Sequence, residues 1–433
     1  MKVSDYNFFF PYENDNDKLI AYNSFSNSLA LIEKNKYEKY KRFAEDGVAI
    51  NDESLVEQLK QGGFLIDDNC NERDLLKFRM LRSRYRTDSL SLTIATTADC
   101  NFRCAYCYEK DVIKPDYMTE KVEEAIIKLV ESHIQNISLL SVSWYGGEPL
   151  MNIGTIERLS RKFIELCDKN KVQYNAGIVT NGYLLTKDNL QLLNDLKVTS
   201  LQITLDGNEE IHNKRRPLAD GSGTFKTIIG NLISNKDILP HVALRINIDK
   251  NNADSGREIT KILENNQLLD KVKPYLGRVI SDDDMYETKK CFNSCDFSKE
   301  EFKYFNEFAN EDTYMLHYPR AIRNYCCADS LNSFVIAADG RLYKCWHDIG
   351  NYSRCIGKLD EGMNENRQVY LDYMLFDPTT DKECSKCNLL PICMGSCPNM
   401  RVNKTDKCST YKFVLDSFLS VISKRLKLKK QLS

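Results

Sequence analysis

Alternation of short apolar runs with longer amphipathic ones dominates the middle of the chain. From Ser89 onward the apolar runs are SLTIATT, LLSVSWYGG, YNAGIVTNG, LQITLDG, VALRINID and VKPYLGRVI. They are rich in β-branched and aromatic residues and end in turn formers, so they read as strands. Between them lie EKVEEAIIKLVESHI, IERLSRKFIELCDK, KDNLQLLNDLK and SGREITKILEN, with apolar positions at helical spacing. Regular β-then-α alternation predicts an α/β fold with a parallel sheet. Six repeats predict a partial (β/α)6 barrel that lacks the last two units of a full one. Chemistry in such barrels gathers at the C-terminal ends of the strands.

The flanks have different patterns. YNFFFPY, KLIAYNS and SLALIE read as three short strands, and KYEKYKRFAED and DESLVEQLKQGGF as helices. Asp52 is placed to cap the second helix and Gly62–Gly63 to stop it. This order predicts a winged-helix-like module over residues 1–88, with a plain structural extension as the alternative. The barrel then covers 89–285, a connecting helical segment 286–324, and a cysteine-dense region with little regular structure 325–410. Residues 411–433 read as an amphipathic helix with a basic end, expected to pack on the barrel.

Composition narrows the possibilities. A chain of 433 residues can build two or three cores. A formal net charge of −2 implies no nucleic-acid partner. No run reaches the roughly 18 apolar residues of a membrane span, and the N-terminus lacks a signal-peptide pattern. These features predict a cytoplasmic protein without a membrane partner. Sixteen cysteines are many for such a chain, and clusters of them in a reducing compartment favour metal ligation over disulfides.

Cys100, Cys104 and Cys107 follow the first strand directly, in the run CNFRCAYCYE. Three thiolates fill three corners of a four-iron cluster and leave one iron open. A zinc knuckle would need four protein ligands, commonly as C-x2-C pairs, and no such pair lies nearby. The spacing, with Tyr106 before the third cysteine, resembles that of radical S-adenosylmethionine (SAM) enzymes. The resemblance implies a [4Fe–4S] cluster whose open iron binds the amino and carboxylate groups of SAM. One electron from that cluster would release a 5′-deoxyadenosyl radical.

The same resemblance implies that Gly146, Gly147 and Glu148, in WYGGEPL, hold the methionine amino group. Thr180 and Asn181 end the third strand and Asp206 the fourth, where the family surrounds the nucleoside and methionine. Arg216, with Arg215 beside it, stands where the family places an arginine for the methionine carboxylate. Arg245 and Asn247 on the fifth strand are further candidates. For each of these polar groups, a strand-end hydrogen bond to backbone is the competing reading.

Cys384, Cys387, Cys393 and Cys397 form C-x2-C-x5-C-x3-C, followed by Cys408; Cys345 lies upstream behind Gly340, and Cys326–Cys327 further back. A zinc ribbon would show two C-x2-C pairs. The pattern resembles the SPASM extension of a subset of radical SAM enzymes, which binds two auxiliary [4Fe–4S] clusters. By that resemblance Cys384, Cys387, Cys393 and Cys408 hold the outer one. Cys397, Cys345 and either Cys326 or Cys327 hold the inner one, and Ala328 favours Cys326. The fourth inner ligand stays open among Cys327, Cys291, Cys295 and a substrate group. Cys70, Cys167 and Cys355 read as packing residues.

SPASM-bearing enzymes that resemble this chain modify peptides or proteins. The N-terminal module resembles the leader-binding module of enzymes that mature ribosomally made peptides. This implies a radical SAM peptide maturase that joins a cysteine sulfur to a carbon as a thioether. Its partners would be a precursor peptide with a leader and a flavodoxin- or ferredoxin-like electron donor. The alternatives are an anaerobic sulfatase-maturing enzyme that forms formylglycine, a carbon–carbon crosslinking peptide cyclase, and a non-catalytic iron–sulfur carrier. A carrier has no use for an open iron. No motif ranks a catalytic acid or base; Asp206, Asp348 and several tyrosines stay open.

Overall fold

The computed structural model describes residues 1–280, 288–308, 314–364, 367–405 and 407–432. The chain divides into two compact units, one of residues 1–84, 293–326 and 376–433, the other of residues 85–292 and 327–375.

The first unit is built on an antiparallel sheet of β1 (Asn7–Pro11), β2 (Lys18–Asn23) and β3 (Ser28–Glu33), with β2 in the centre. Both faces are covered, which is why these strands read as apolar runs. On one face Ile20, Tyr22, Leu29 and Leu31 meet Leu389, Ile392, Leu415 and Leu419. On the other, Phe9, Ala21 and Ile32 meet Tyr40 of α1 (Lys34–Asp46) and Leu55 and Leu59 of α2 (Glu53–Gln61). Asp52 caps α2 by accepting a hydrogen bond from Leu55 N at 3.0 Å. A third helix, α3 (Glu72–Arg84), buries Leu76 and Met80 against Tyr6, Leu390 and Met394.

The second unit begins with β4 (Ser89–Ala95). It continues through α4 (Glu120–His133), β5 (Leu139–Tyr145), α5 (Ile153–Asn170), β6 (Gln173–Thr180), α6 (Lys187–Asp195) and β7 (Val198–Thr204). Then come α7 (Glu209–Arg215), α8 (Phe225–Ser234), β8 (His241–Ile248), α9 (Ser255–Asn265) and β9 (Val272–Arg278). Strands β4 to β9 are all parallel and lie side by side in chain order, the partial barrel expected from the repeats. Leu140, Val142, Trp144, Leu201, Ile203, Leu244 and Ile246 are buried. Alternate positions of the same strands, among them Tyr145, Gln202, Thr204, Arg245 and Asn247, line a cavity instead.

Two features differ from the sequence-based expectation. The cysteine-dense region contributes β10 (Ser333–Ile336), which pairs parallel with β4 and extends the sheet, followed by the short antiparallel strands β11 (Arg341–Tyr343), β12 (Gly357–Lys358) and β13 (Gly362–Met363). Four residues are too few to show a period, so only pairing reveals this strand. The closing helix, Tyr411–Leu432, packs on the N-terminal sheet and on α10 (Ser294–Phe308) through Leu415, Phe418, Leu419 and Ile422. The expected apolar face exists, but its partner is not the barrel.

Candidate active site

The loop after β4 carries the three cysteines, and backbone bonds tie it down on several sides. Arg103 N donates to Pro217 O and Ala105 N to Arg215 O, both at 2.9 Å, which sets the loop beside the segment after α7. Gly147 N donates to Thr97 O at 3.1 Å and Glu148 N to Asp99 O at 2.9 Å, which sets it beside the end of β5. The approach leaves no room for side chains. A Cβ at Gly146 would run into Thr97 O, one at Gly147 into Asp99 O, and Gly146 has φ 126°.

Cys100, Cys104 and Cys107 all line one cavity of about 240 Å³, close enough to interact electrostatically. Burial pushes the Cys100 and Cys107 thiols up to about 12. Burial also raises Cys104, against the pull of the Arg216 guanidinium. Three buried thiols hold their protons unless a cation replaces them, so this donor set is one that a metal cluster would ionise. Arg216 lines the same cavity, and its Nε is buried without an acceptor. Thiols, bare glycine backbone and an orphaned guanidinium donor together fit an iron–sulfur cluster that carries an amino-acid ligand.

Around the cysteines, Tyr106 ties the polar residues together. Its hydroxyl donates to Asp206 Oδ1 at 2.8 Å and accepts from Arg216 Nη1 at 2.9 Å and Asn247 Nδ2 at 3.0 Å. Asp206 also receives Arg215 Nε at 2.8 Å, and Arg215 Nη1 reaches Asp249 at 2.6 Å. Arg215 is thus occupied by carboxylates, while Arg216 keeps a donor for the cavity. Asp206 holds this network in place rather than lining the cavity.

Glu148 is fully buried and does not line the cavity. Its carboxylate accepts from Leu150 N at 3.0 Å, Thr180 Oγ1 at 2.7 Å and Asn181 N at 2.7 Å. It therefore locks the end of β5 to the end of β6 and aims the Gly146–Gly147 backbone. Thr180 and Asn181 do line the cavity, and Asn181 Nδ2 donates to Asn101 Oδ1 of the cysteine loop at 2.8 Å.

Four residues escaped the sequence reading. His212 is buried; Asp206 N donates to its Nδ1 at 3.2 Å, and its Nε2 meets Thr224 Oγ1 at 3.0 Å. Thr224 in turn donates to Arg216 O at 2.8 Å, so His212 braces both Asp206 and Arg216. Glu109 lines the cavity with Oε1 unpartnered, and burial pushes its carboxyl up to about 7. Trp346 and His347 form an aromatic wall with the cysteine loop and β5. His347 stacks on Tyr108 at 4.3 Å between ring centroids, and Trp346 on Tyr145 at 5.3 Å. The dipeptide WH directly after Cys345 was the available signal, but only β10 and β11 bring it here.

In the first unit, four cysteines of the C-terminal motif gather. Cys393 interacts with Cys387 and Cys408, and Cys384 with Cys393. Lys412 Nζ donates to Cys408 Sγ at 3.3 Å, a bond suited to a thiolate. Cys326 and Cys397 lie near Tyr325 in the same unit, whereas Cys345 and Cys327 belong to the second unit, Cys345 near Tyr145. Asp348 is taken up by Arg354 and by the Tyr373 hydroxyl at 2.9 Å. Cys167 and Cys355 are buried and Cys70 half-buried. Cys291 and Cys295 lie within the described residues, both half-buried.

Residues 94–259 match the Radical SAM superfamily model. That segment is a radical SAM domain, and enzymes with such a domain work with a [4Fe–4S] cluster and SAM. The chain is 24% identical over 358 residues to a cysteine-type anaerobic sulfatase-maturating enzyme of Clostridium perfringens, covering 75% of this chain and 94% of the relative. A solved structure of anSMEcpe with bound AdoMet and a Kp18Cys peptide superposes with TM-score 0.63 and 20% identity, over 77% of this chain and 98% of that one. SuiB of Streptococcus suis bound to its precursor peptide SuiA superposes with TM-score 0.53 and 15% identity, over 94% of this chain and 98% of that one. Among the described residues no helix is long and apolar enough to cross a membrane.

Proposed function

We propose that this chain is a peptide maturase that forms a thioether between a cysteine sulfur and a carbon of a ribosomally made precursor. The observation that carries this reading is the reach of the fold likeness. SuiB, solved with its precursor peptide, matches 94% of this chain, whereas the sulfatase-maturating structure matches 77%. The sheet β1–β3 has two outer strands, and an extended leader can join such an edge as a further strand.

When bound, the cluster and SAM supply a carbon radical strong enough to take a hydrogen atom from an unactivated carbon. The protein residues do the rest. Cys100, Cys104 and Cys107 would ligate the cluster. The Gly146–Gly147 backbone, aimed by Glu148, would receive the amino group, and Arg216 the carboxylate. Tyr106, Thr180, Asn181, Asp206 and Asn247 hold this frame. Thioether formation removes two hydrogens from the peptide: one leaves as an atom, the other as a proton and an electron. Cys384, Cys387, Cys393 and Cys408 would hold an outer auxiliary cluster, and with the inner one it would supply a site able to accept one electron.

A second reading, formylglycine formation, rests on the sequence identity to the sulfatase-maturating relative. The reconstituted enzyme is incubated with SAM, a reductant, and either a cysteine-rich peptide encoded beside its gene or a sulfatase-derived cysteine peptide. A mass loss of two hydrogens with one thiol masked supports the maturase. A hydrazide-reactive aldehyde on the sulfatase peptide would replace it with the second reading.

A further inference from the structure

Three arginines line the cavity, Arg216, Arg245 and Arg278, and the first two have different surroundings. Arg216 lies beside Cys104, where burial and the thiols dominate its surroundings. Arg245, on β8, faces His347 and Tyr145 of the aromatic wall instead. Its guanidinium lies over Gly277 of the neighbouring strand β9: a Cβ there would come within 2.5 Å of Nε, 2.8 Å of Cζ and 2.9 Å of Nη2. The missing side chain at 277 makes the space that the guanidinium occupies.

The partners of Arg245 leave most of its fork unused. Nε donates to Asn247 Oδ1 at 2.7 Å, and Nη2 makes only a long contact to Arg278 O at 3.5 Å. A guanidinium carries five N–H donors. Among the described residues no carboxylate pairs with this one. Asn247, which accepts from Arg245 Nε through Oδ1, gives its own Nδ2 to the Tyr106 hydroxyl. The result is a half-buried cation lining the same cavity as the stacked aromatic pairs Tyr108–His347 and Tyr145–Trp346.

We propose that Arg245 is the receptor for a carboxylate of the peptide substrate, carried close to the carbon that reacts. The inference rests on the peptide-modifying reading and adds to it a substrate class. A planar fork binds a carboxylate through two parallel hydrogen bonds, and the aromatic wall keeps water from competing. With Arg216 assigned to the methionine carboxylate in the proposed function, Arg245 is left for a different anion. The peptide carboxylate is either an Asp or Glu side chain or the C-terminus.

The test uses the full-length, cluster-reconstituted, SAM-bound enzyme and three pools of N-acetylated random hexapeptides. One pool has a central Glu and an amidated C-terminus, one a central Gln and an amidated C-terminus, and one a central Gln and a free C-terminus. Retention on immobilised enzyme is read by mass spectrometry. Wild type should retain one carboxylate pool about tenfold over the Gln amide pool, as expected of a charge-assisted pair. The identity of the favoured pool assigns the carboxylate to side chain or terminus. Arg245→Gln should abolish the preference, Arg245→Lys should keep part of it, and Gly277→Ala should weaken it by displacing an intact guanidinium. The preference is a ratio within each variant, so a general loss of folding does not imitate it. Equal retention by wild type, or a preference that survives Arg245→Gln, overturns the inference alone. Retention of no pool by an enzyme that still cleaves SAM removes the peptide reading and the inference together.

Discussion

The Tyr106 hydroxyl donates to Asp206 Oδ1 at 2.8 Å, joining the cysteine loop to the end of a strand 100 residues away. The same oxygen accepts from Arg216 and Asn247, so one atom fixes an acid, a guanidinium and an amide at once. Tyr106→Phe leaves Asp206 paired with Arg215 but takes the acceptor from two donors. A buried donor left unmade costs about 1–3 kcal/mol. SAM affinity should therefore fall by about tenfold or more while bound iron is retained. Equilibrium binding to the reconstituted variant measures this, and an unchanged dissociation constant would remove Tyr106 from the frame.

His212 should make the barrel acid-sensitive. Burial holds its pKa well below the ordinary value, helped by the Arg216 and Arg215 charges, so it is neutral in the folded protein. A histidine with a depressed folded pKa contributes stability above its unfolded value, roughly 6.5, and that contribution is lost as pH falls below it. The unfolding free energy of wild type, and with it the unfolding temperature, should drop as pH is lowered from about 6.5, the free energy by about 1.4 kcal/mol per pH unit at most from this one group. In His212→Gln this component should vanish, so the variant's curve is flatter over the same range. Parallel curves for the two proteins would assign the acid sensitivity elsewhere.

The outer cysteines should separate cofactor cleavage from product formation. Replacing Cys384, Cys387 and Cys393 with alanine should lower iron by about four atoms per chain, one cluster's worth. Crosslinked peptide should fall far more than 5′-deoxyadenosine, because the missing cluster accepts the electron that follows hydrogen abstraction. Iron analysis and paired product quantification test this. An unchanged iron content would show that these thiols hold no cluster.

Much of the site was legible because its motifs are local. CNFRCAYCYE needs only a strand before it and a tight loop to bring three thiols together. Gly146 and Gly147 were legible as a close backbone approach, and the structure supplies the atoms approached, Thr97 O and Asp99 O. Glu148 was visible as important, but its task was not. A carboxylate next to a glycine pair can face a ligand or brace a neighbouring strand, and only the positions of Thr180 and Asn181 decide for bracing. His212 carried no motif, since its value lies in joining Asp206 to Thr224 across a helix.

The sequence by itself determined the alternation of strands and helices, the cysteine spacings and the resemblance that follows from them. These depend on periodicity and on residues a few positions apart, which the chain displays directly. Tertiary structure alone decided that Ser333–Ile336 extends the parallel sheet, that the last helix covers β1–β3, and that Trp346 and His347 wall the cavity. It also placed Arg216 beside Cys104 and Arg245 within electrostatic reach of His347. Strand pairing and helix docking join surfaces that are distant in the chain. Many partners would satisfy the same apolar stripe or short strand, and the choice among them is made only when the whole core is packed.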